Sequence, residues 1–320
     1  MYTFGPNTII VSEIFFNMFE KTTQEKERKA MLNTTITSKS VLAKLTIAMW
    51  SARVQDVQSV EKLSAEYNAN TNQIGVAKLL LSKDRFKNMK DIANRARKLH
   101  RNMTLPWDTE GYSLLITRRY NDYNRVMKEL KESFESETDA FLHDYETFIE
   151  TDRQLLGTMV EPEEYPAKET LEKKFKFDFH FMPVPQEDDF RLAIDEDTVQ
   201  AIMQNCSGAI NNRIDNIKSF LYNKLYASVK HAIEKLDDTH AWFKDVTLQD
   251  IVQFGEDIAD LNVMEDSDLS RLALNAQGAI QNSAPTFDDI RKDENIRVDL
   301  SLKLEKVREQ LLSSGIIENE

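Results

Sequence analysis

Between Lys83 and Arg101 the chain sets Lys83, Arg85, Lys87, Lys90, Arg95, Arg97, Lys98 and Arg101 against only Asp84 and Asp91, eight cations less two acids, a net of +6. Helical spacing places Phe86, Met89, Ala93, Ala96 and Met103 on one face and Lys87, Lys90, Arg97 and Arg101 on another. Such a face can hold the phosphates of a nucleic acid, or it can dock on carboxylates of this protein's own acidic block or of an acidic partner. Just downstream, the Pro106- and Gly111-punctuated segment Thr104–Tyr112 reads as an irregular loop that carries Trp107. Its indole could anchor a partner or, with Tyr112, stack on bases. Lys87, Lys90, Arg97, Arg101 and Trp107 therefore form the candidate partner-binding set.

Other chemistries find less support. His143-Asp144, with His100 upstream and Asp195 or Asp215 downstream, has the ligand order of an HD-type metal phosphohydrolase. His143, however, falls on the exposed face of a heptad helix beside Asp139, Glu146 and Glu150, where charge is expected without any chemistry. A di-iron bundle needs Glu-x-x-His on two helices, and Asp237-Asp-Thr-His240 is a single match with the wrong carboxylate. His231 and His240 lack paired ligand spacing and His180 sits opposite a row of phenylalanines, so these read as ordinary surface histidines and no metal is expected. Cys206, the lone cysteine, rules out an internal disulfide and, following Val199, Ile202 and Met203, reads as a buried structural thiol. Neither GxxxxGK[ST] nor GxGxxG occurs, which argues against an NTPase or dinucleotide enzyme. No catalytic residue and no cofactor is assigned.

The elements that would position the basic face follow from periodicity. With 8 Gly and 7 Pro in 320 residues, the chain has too little turn punctuation for a sheet-rich fold. Ser82 is the expected cap of the basic helix, which runs to about Met103. From about Thr117 to Leu156, Tyr120, Met127, Phe134, Phe141, Phe148 and Leu155 recur every seven residues, predicting a long helix that Gly157 terminates. Phe175, Phe177, Phe179 and Phe181 alternate strictly and predict a strand, with Phe190–Ile194 returning as its partner. Beside a strand over Val41–Trp50 these make a three-stranded antiparallel sheet. Glu196–Leu236 is a second long helix, with Ile210, Ile214, Ile217, Leu221, Leu225 and Leu236 on its apolar stripe. Shorter helices follow: Leu248–Leu261 behind Thr247, Asp268–Gln281 behind Ser267, and Ile296–Leu312 ending near Gly315. The expected fold is α-rich α+β: a long antiparallel helical hairpin, a small three-stranded antiparallel sheet and a C-terminal helical group. Its divisions are an arm or helix over residues 1–35, containing an amphipathic stretch Ser12–Leu32, a core domain over 36–240, and a helical region over 241–320.

The 41 basic and 54 acidic residues give a net charge of −13, distributed as +2 over 1–82, +7 over 83–131, −14 over 132–197 and −8 over 198–320. This balance argues against non-specific nucleic-acid binding by the whole molecule and leaves the basic block as the one local footprint. The first basic residue is Lys21, and no apolar run reaches the length of a membrane span, so a cytoplasmic protein is expected.

Taken in order, Leu45-Thr-Ile-Ala-Met-Trp-Ser-Ala-Arg53, the Leu105-Pro-Trp-Asp-Thr-Glu-Gly111 segment, the long Phe/Tyr helix, Tyr165-Pro166, the Phe-x-Phe strand and Pro183-x-Pro185 resemble an uncharacterised bacterial and phage family, domain of unknown function 3150, over about residues 40–235. Where the family pattern has Trp-Ser-Gly-Arg, this chain has Ala52. The family has no established catalytic residues to transfer. The resemblance implies a context: companions of MoxR-type AAA+ ATPases and of von Willebrand A-domain proteins in phage and plasmid clusters. The expected function is a non-enzymatic phage or mobile-element scaffold or adaptor that binds protein partners through the basic helix and exposed helical faces. The alternative is single-stranded nucleic-acid binding by the same face, and the third reading is metal-dependent phosphohydrolysis.

Overall fold

The computed structural model describes residues 35–185, 196–238 and 243–317, with the backbone alone over 196–205. Most of the arm 1–35 and the expected strand Phe190–Ile194 lie outside these residues. The chain divides into two compact units that do not follow sequence order. One, here the aromatic unit, comprises 43–104 and 119–181; the other, the helical unit, comprises the described residues of 1–42, 105–118 and 182–320. The α-rich α+β class holds, with a small sheet and C-terminal helices.

In the aromatic unit, the seven-residue and two-residue periods meet. Helix α3 (Tyr120–Leu156) and strand β6 (Lys176–Pro183) face each other through rings. Phe175 lies 5.5 Å from Phe141, Phe177 lies 5.6 Å from Phe134, and Phe181 lies 4.8 Å from Tyr120. The pairing order reverses along the two elements, so strand and helix run antiparallel. The apolar stripe of α3 does not reach Leu155, which is 76% exposed, and Phe148 is only half-buried. A straight 3.6-residue helix drifts about 20° per heptad, so after five heptads the stripe has rotated away from the core. Asp152 occupies the buried position there instead.

Helix α2 (Lys87–Met103) packs on α3 through Met89, Ala93 and Ala96, all buried. The cap differs from expectation. Ser82 opens a 3-10 turn (Lys83–Phe86) and makes no side-chain capping bond. Its backbone N–H is donated to Asp152 Oδ2 at 2.7 Å, and Arg85 adds a 3.1 Å ion pair to the same carboxylate. Burial raises the Asp152 pKa, but the bonds from Arg85 and Ser82 outweigh it and hold the carboxyl below its ordinary value. A carboxylate from α3 thus does the work of a local cap.

Strand β1 (Ser40–Ala48) forms as its alternation predicts and neighbours β6. The segment expected to be an irregular loop is instead a pair of strands, β4 (Thr104–Pro106) and β5 (Tyr112–Ile116), joined by a turn in which the Asp108 side chain accepts from Glu110 and Tyr112 N–H. The sheet order is β4-β5-β1-β6, four strands rather than three. Strands β2 (Arg53–Gln55) and β3 (Ala77–Leu79) form a separate antiparallel ribbon, with helix α1 (Val57–Tyr67) between them in sequence, and a short helix α4 (Lys168–Glu172) precedes β6.

Ala52 makes a left-handed turn: its φ is +52°, it is fully buried, and its carbonyl accepts Leu80 N–H at 2.7 Å. Ala52→Gly removes about 1 kcal/mol of left-handed strain and loses a buried methyl of about the same value, so its unfolding midpoint is expected to match the parent. Ala52→Val adds a β-branched side chain at positive φ and is expected to lower stability by about 2 kcal/mol or more, measured by urea titration.

In the helical unit, α5 (Glu196–Asp237) buries its predicted stripe from Ile210 to Leu236 against α6 (Val246–Leu261) and α9 (Glu294–Ser313), and α6 pairs with α7 (Ser267–Gln281). The two long helices, α3 and α5, fall in different units, and each finds helical partners in its own. This replaces the expected hairpin: an apolar stripe demands a cover but does not specify which. The true caps of α7 and α9 are Asp266 and Asp293, each accepting two backbone N–H groups, whereas Thr247 is buried inside α6. A short helix α8 (Phe287–Lys292) begins with a Thr286–Asp289 capping box. No helix among the described residues is long and apolar enough to cross a membrane.

Candidate functional site

Helix α2 buries Met89, Ala93 and Ala96, flanks them with the half-buried Ile92, Leu99 and His100, and exposes its opposite side to solvent. Lys87, Lys90, Arg97 and Arg101 lie on one arc of it and all are exposed, with Lys98 beside them. At 1.5 Å per residue, the row from Lys87 to Arg101 extends about 21 Å. Lys90 Nζ sits 5.5 Å from the Phe86 ring and Arg97 donates to the Ile47 carbonyl at 3.4 Å. Among the described residues none of the four has a carboxylate partner. The expectation that this face could dock on the chain's own acidic block is thus not met by any described carboxylate. The polar links between α2 and α3 that do exist, such as Asn88 to Glu137 at 3.1 Å, lie off this row.

Trp107 does not join this surface. It is 5% exposed, packed in the core of the helical unit with the Arg213 guanidinium 5.2 Å from its ring. A buried indole cannot act as an exposed aromatic anchor, so this member of the candidate set is corrected. Tyr112 packs partly buried against the same core.

The metal reading loses its upstream ligand. His100 points from α2 toward α3, with Nδ1 2.7 Å from the Tyr123 hydroxyl. His143 and Asp144 are exposed on α3, Asp215 belongs to the other unit, and Asp195 and His240 lie outside the described residues. Among the described residues no three His, Cys, Asp or Glu side chains come together to hold a metal. Cys206 is a free thiol of intermediate exposure rather than a buried one.

Burial, with a smaller contribution from the Arg101 charge, pulls the His100 pKa down to about 4 from 6.5. The unfolded chain therefore binds the extra proton first as pH falls, and this site's contribution is complete above about pH 6.5 and lost between there and about pH 4. The stability at pH 4.5 relative to pH 7 is expected to fall by about 2 kcal/mol through this group, and His100→Asn is expected to flatten that part of the pH profile. An unchanged profile in the variant would show that another group titrates.

One polar cluster gave no sequence signal. Lys78 on β3 has a side chain only 4% exposed, yet its Nζ reaches Glu164 at 2.8 Å, Glu161 at 3.9 Å and the Met159 carbonyl at 2.9 Å. Burial disfavours its charge, but Glu164 and Glu161 outweigh burial and raise its pKa above the ordinary 10.5. A single lysine between Ala77 and Leu79 has nothing in its local spacing to mark it.

Residues 37–241 match the model of a family described as protein of unknown function (DUF3150), and the chain belongs to that family. No curated protein and no solved structure matches it.

Proposed function

We propose that this DUF3150 member is a non-enzymatic scaffold or adaptor, working in the cytoplasm in a phage or mobile-element setting, and that the basic face of α2 docks a carboxylate-bearing protein partner. The observation that carries the reading is the row of four exposed cations with no described carboxylate answering it. Like charges three or four residues apart, as in Lys87/Lys90 and Arg97/Arg101, destabilise a helix by about 0.2–0.5 kcal/mol per pair, a cost that an anionic partner offsets. The burial of Trp107 weighs against nucleic acid, since it removes the proposed stacking platform. The partners to test first are a MoxR-type AAA+ ATPase and a von Willebrand A-domain protein.

Replacing Lys87, Lys90, Arg97 and Arg101 by Glu is expected to leave folding within about 1 kcal/mol of the parent, because all four are exposed. The same change is expected to weaken partner retention at least about tenfold. Purification of the tagged parent and variant from the native host at moderate salt, read by mass spectrometry and nucleic-acid absorbance, tests this. Retention of every partner by the variant overturns the reading. Nuclease-sensitive nucleic acid held by the parent alone, with steep salt dependence, assigns the face to phosphates instead.

A further inference from the structure

We propose that one partner of the basic row is α3 of a second copy of this chain, so that two copies close into a reciprocal pair, α2 of each on α3 of the other. The inference rests on reading α2 as a protein-docking face and names an occupant for it.

The outer face of α3 is the chemical opposite of α2. Glu132, Asp139 and Glu146 recur every seven residues on the side of the helix away from the buried rings, and all three are exposed. Among the described residues none of the three has a cationic partner. Their neighbours are already committed: Glu135 lies 3.8 Å from Lys131, and Arg125 holds both Asp122 and Glu129. The unanswered acids therefore form a row of their own.

The two rows are commensurate. Lys90 and Arg97 are seven residues apart, as are Glu132 and Asp139, and each step rises about 10.5 Å. Lys87 to Arg101 and Glu132 to Glu146 both span 14 residues, about 21 Å. With Lys87 and Arg101 set against Glu132 and Glu146 at the two ends, Asp139 falls between Lys90 and Arg97, about 6 Å and about 4.5 Å along the axis from each and within reach of both long side chains. Asp91, within the basic arc, is the one acid there and leaves its net charge strongly positive. Both rows belong to the aromatic unit, so every copy presents both and the contact is self-complementary. An isologous contact of this kind closes at two copies rather than extending into a filament. Exposed ion pairs are individually weak, so the association is expected to be modest and strongly screened by salt.

Sedimentation of the full chain at about 50 mM and about 500 mM salt tests this, since the Debye length falls roughly threefold between them. The parent is expected to be a dimer at the lower salt and a monomer at the higher. The variant with Glu at Lys87, Lys90, Arg97 and Arg101 is expected to be monomeric at both, as is Glu132→Lys/Asp139→Lys/Glu146→Lys. Mixed one to one, these two variants bring together one native and one charge-exchanged contact and are expected to recover a heterodimer. A parent that is monomeric at about 50 mM salt, a dimer that survives either charge exchange, a species larger than two copies, or variants that fail to recover on mixing overturns the proposal. If it fails in any of these ways while the basic-face variant still loses other protein partners, only the self-pairing falls.

Discussion

Phe141→Ala is expected to be the most damaging single truncation on α3, lowering stability by about 3–5 kcal/mol. Phe141 is 4% exposed and its ring stands 5.0 Å from Phe86, 5.5 Å from Phe175, 5.7 Å from Phe148 and 6.0 Å from Tyr145. Truncation leaves a cavity bounded by residues of α3, the turn before α2 and the approach to β6, which cannot all collapse into it together. The same change at Phe148, half-buried beneath the Arg85 guanidinium at 4.4 Å, is expected to cost about half as much. Leu155→Ala, at a position 76% exposed, is expected to stay within about 0.5 kcal/mol of the parent. Urea titrations of the three variants, followed by circular dichroism, measure this gradient. Equal costs at Phe141 and Leu155 would show that the heptad stripe is buried along its whole length and that the helix does not rotate away from its cover.

The gradient also marks what periodicity discloses. A seven-residue ring pattern and a two-residue ring pattern each identify a face that water must leave, which is why α3, β6 and the buried stripe of α5 were legible. Neither pattern identifies its complement. The phenylalanines of β6 cover α3, so the expected pairing of the two long helices was not needed to bury it. The β4–β5 strands were hidden because Pro106 and Gly111 read as loop punctuation; Pro106 ends β4, the strand at the end of the sheet, where a missing N–H is tolerated. That one misreading displaced Trp107 from core to surface. Ala52 holds φ at +52° without being a glycine, because the backbone bond to Leu80 and complete burial fix the turn around it.

Short-range and long-range information divide the polar residues in the same way. The cationic arc of α2 depends only on residues three, four and seven apart, and its exposure follows from the opposite face being buried. Its caps and ion pairs depend on residues far off in sequence. Ser82 looks like a cap because serine before a helix usually is one, but the acceptor is Asp152, 70 residues away. A heptad count ending at Leu155 had no reason to give Asp152 a buried role.

Lys78→Met is expected to show how much such a distant polar contact holds together, lowering stability by about 3–5 kcal/mol. The Lys78 ammonium, 4% exposed, joins the β2–β3 ribbon to the Met159–Glu164 return through two carboxylates and a carbonyl. Methionine preserves most of the volume but leaves Glu164, whose side chain is 15% exposed, with its charge near an apolar group. The cost therefore lies chiefly in the orphaned acid, not in lost packing. Removing that acid as well should then restore stability: Lys78→Met with Glu164→Leu is expected to recover about 2 kcal/mol relative to Lys78→Met alone, since a buried pair replaced by apolar groups is often near neutral. Glu164→Leu alone leaves the cation with Glu161 at 3.9 Å and the Met159 carbonyl at 2.9 Å and is expected to cost less than Lys78→Met, and a double-mutant cycle measures the coupling of the pair directly. If the costs of the two single variants simply add in the double variant, the two groups act independently, and the ribbon and the return are held by the backbone and by Tyr165, whose hydroxyl donates to the Leu80 carbonyl at 3.2 Å.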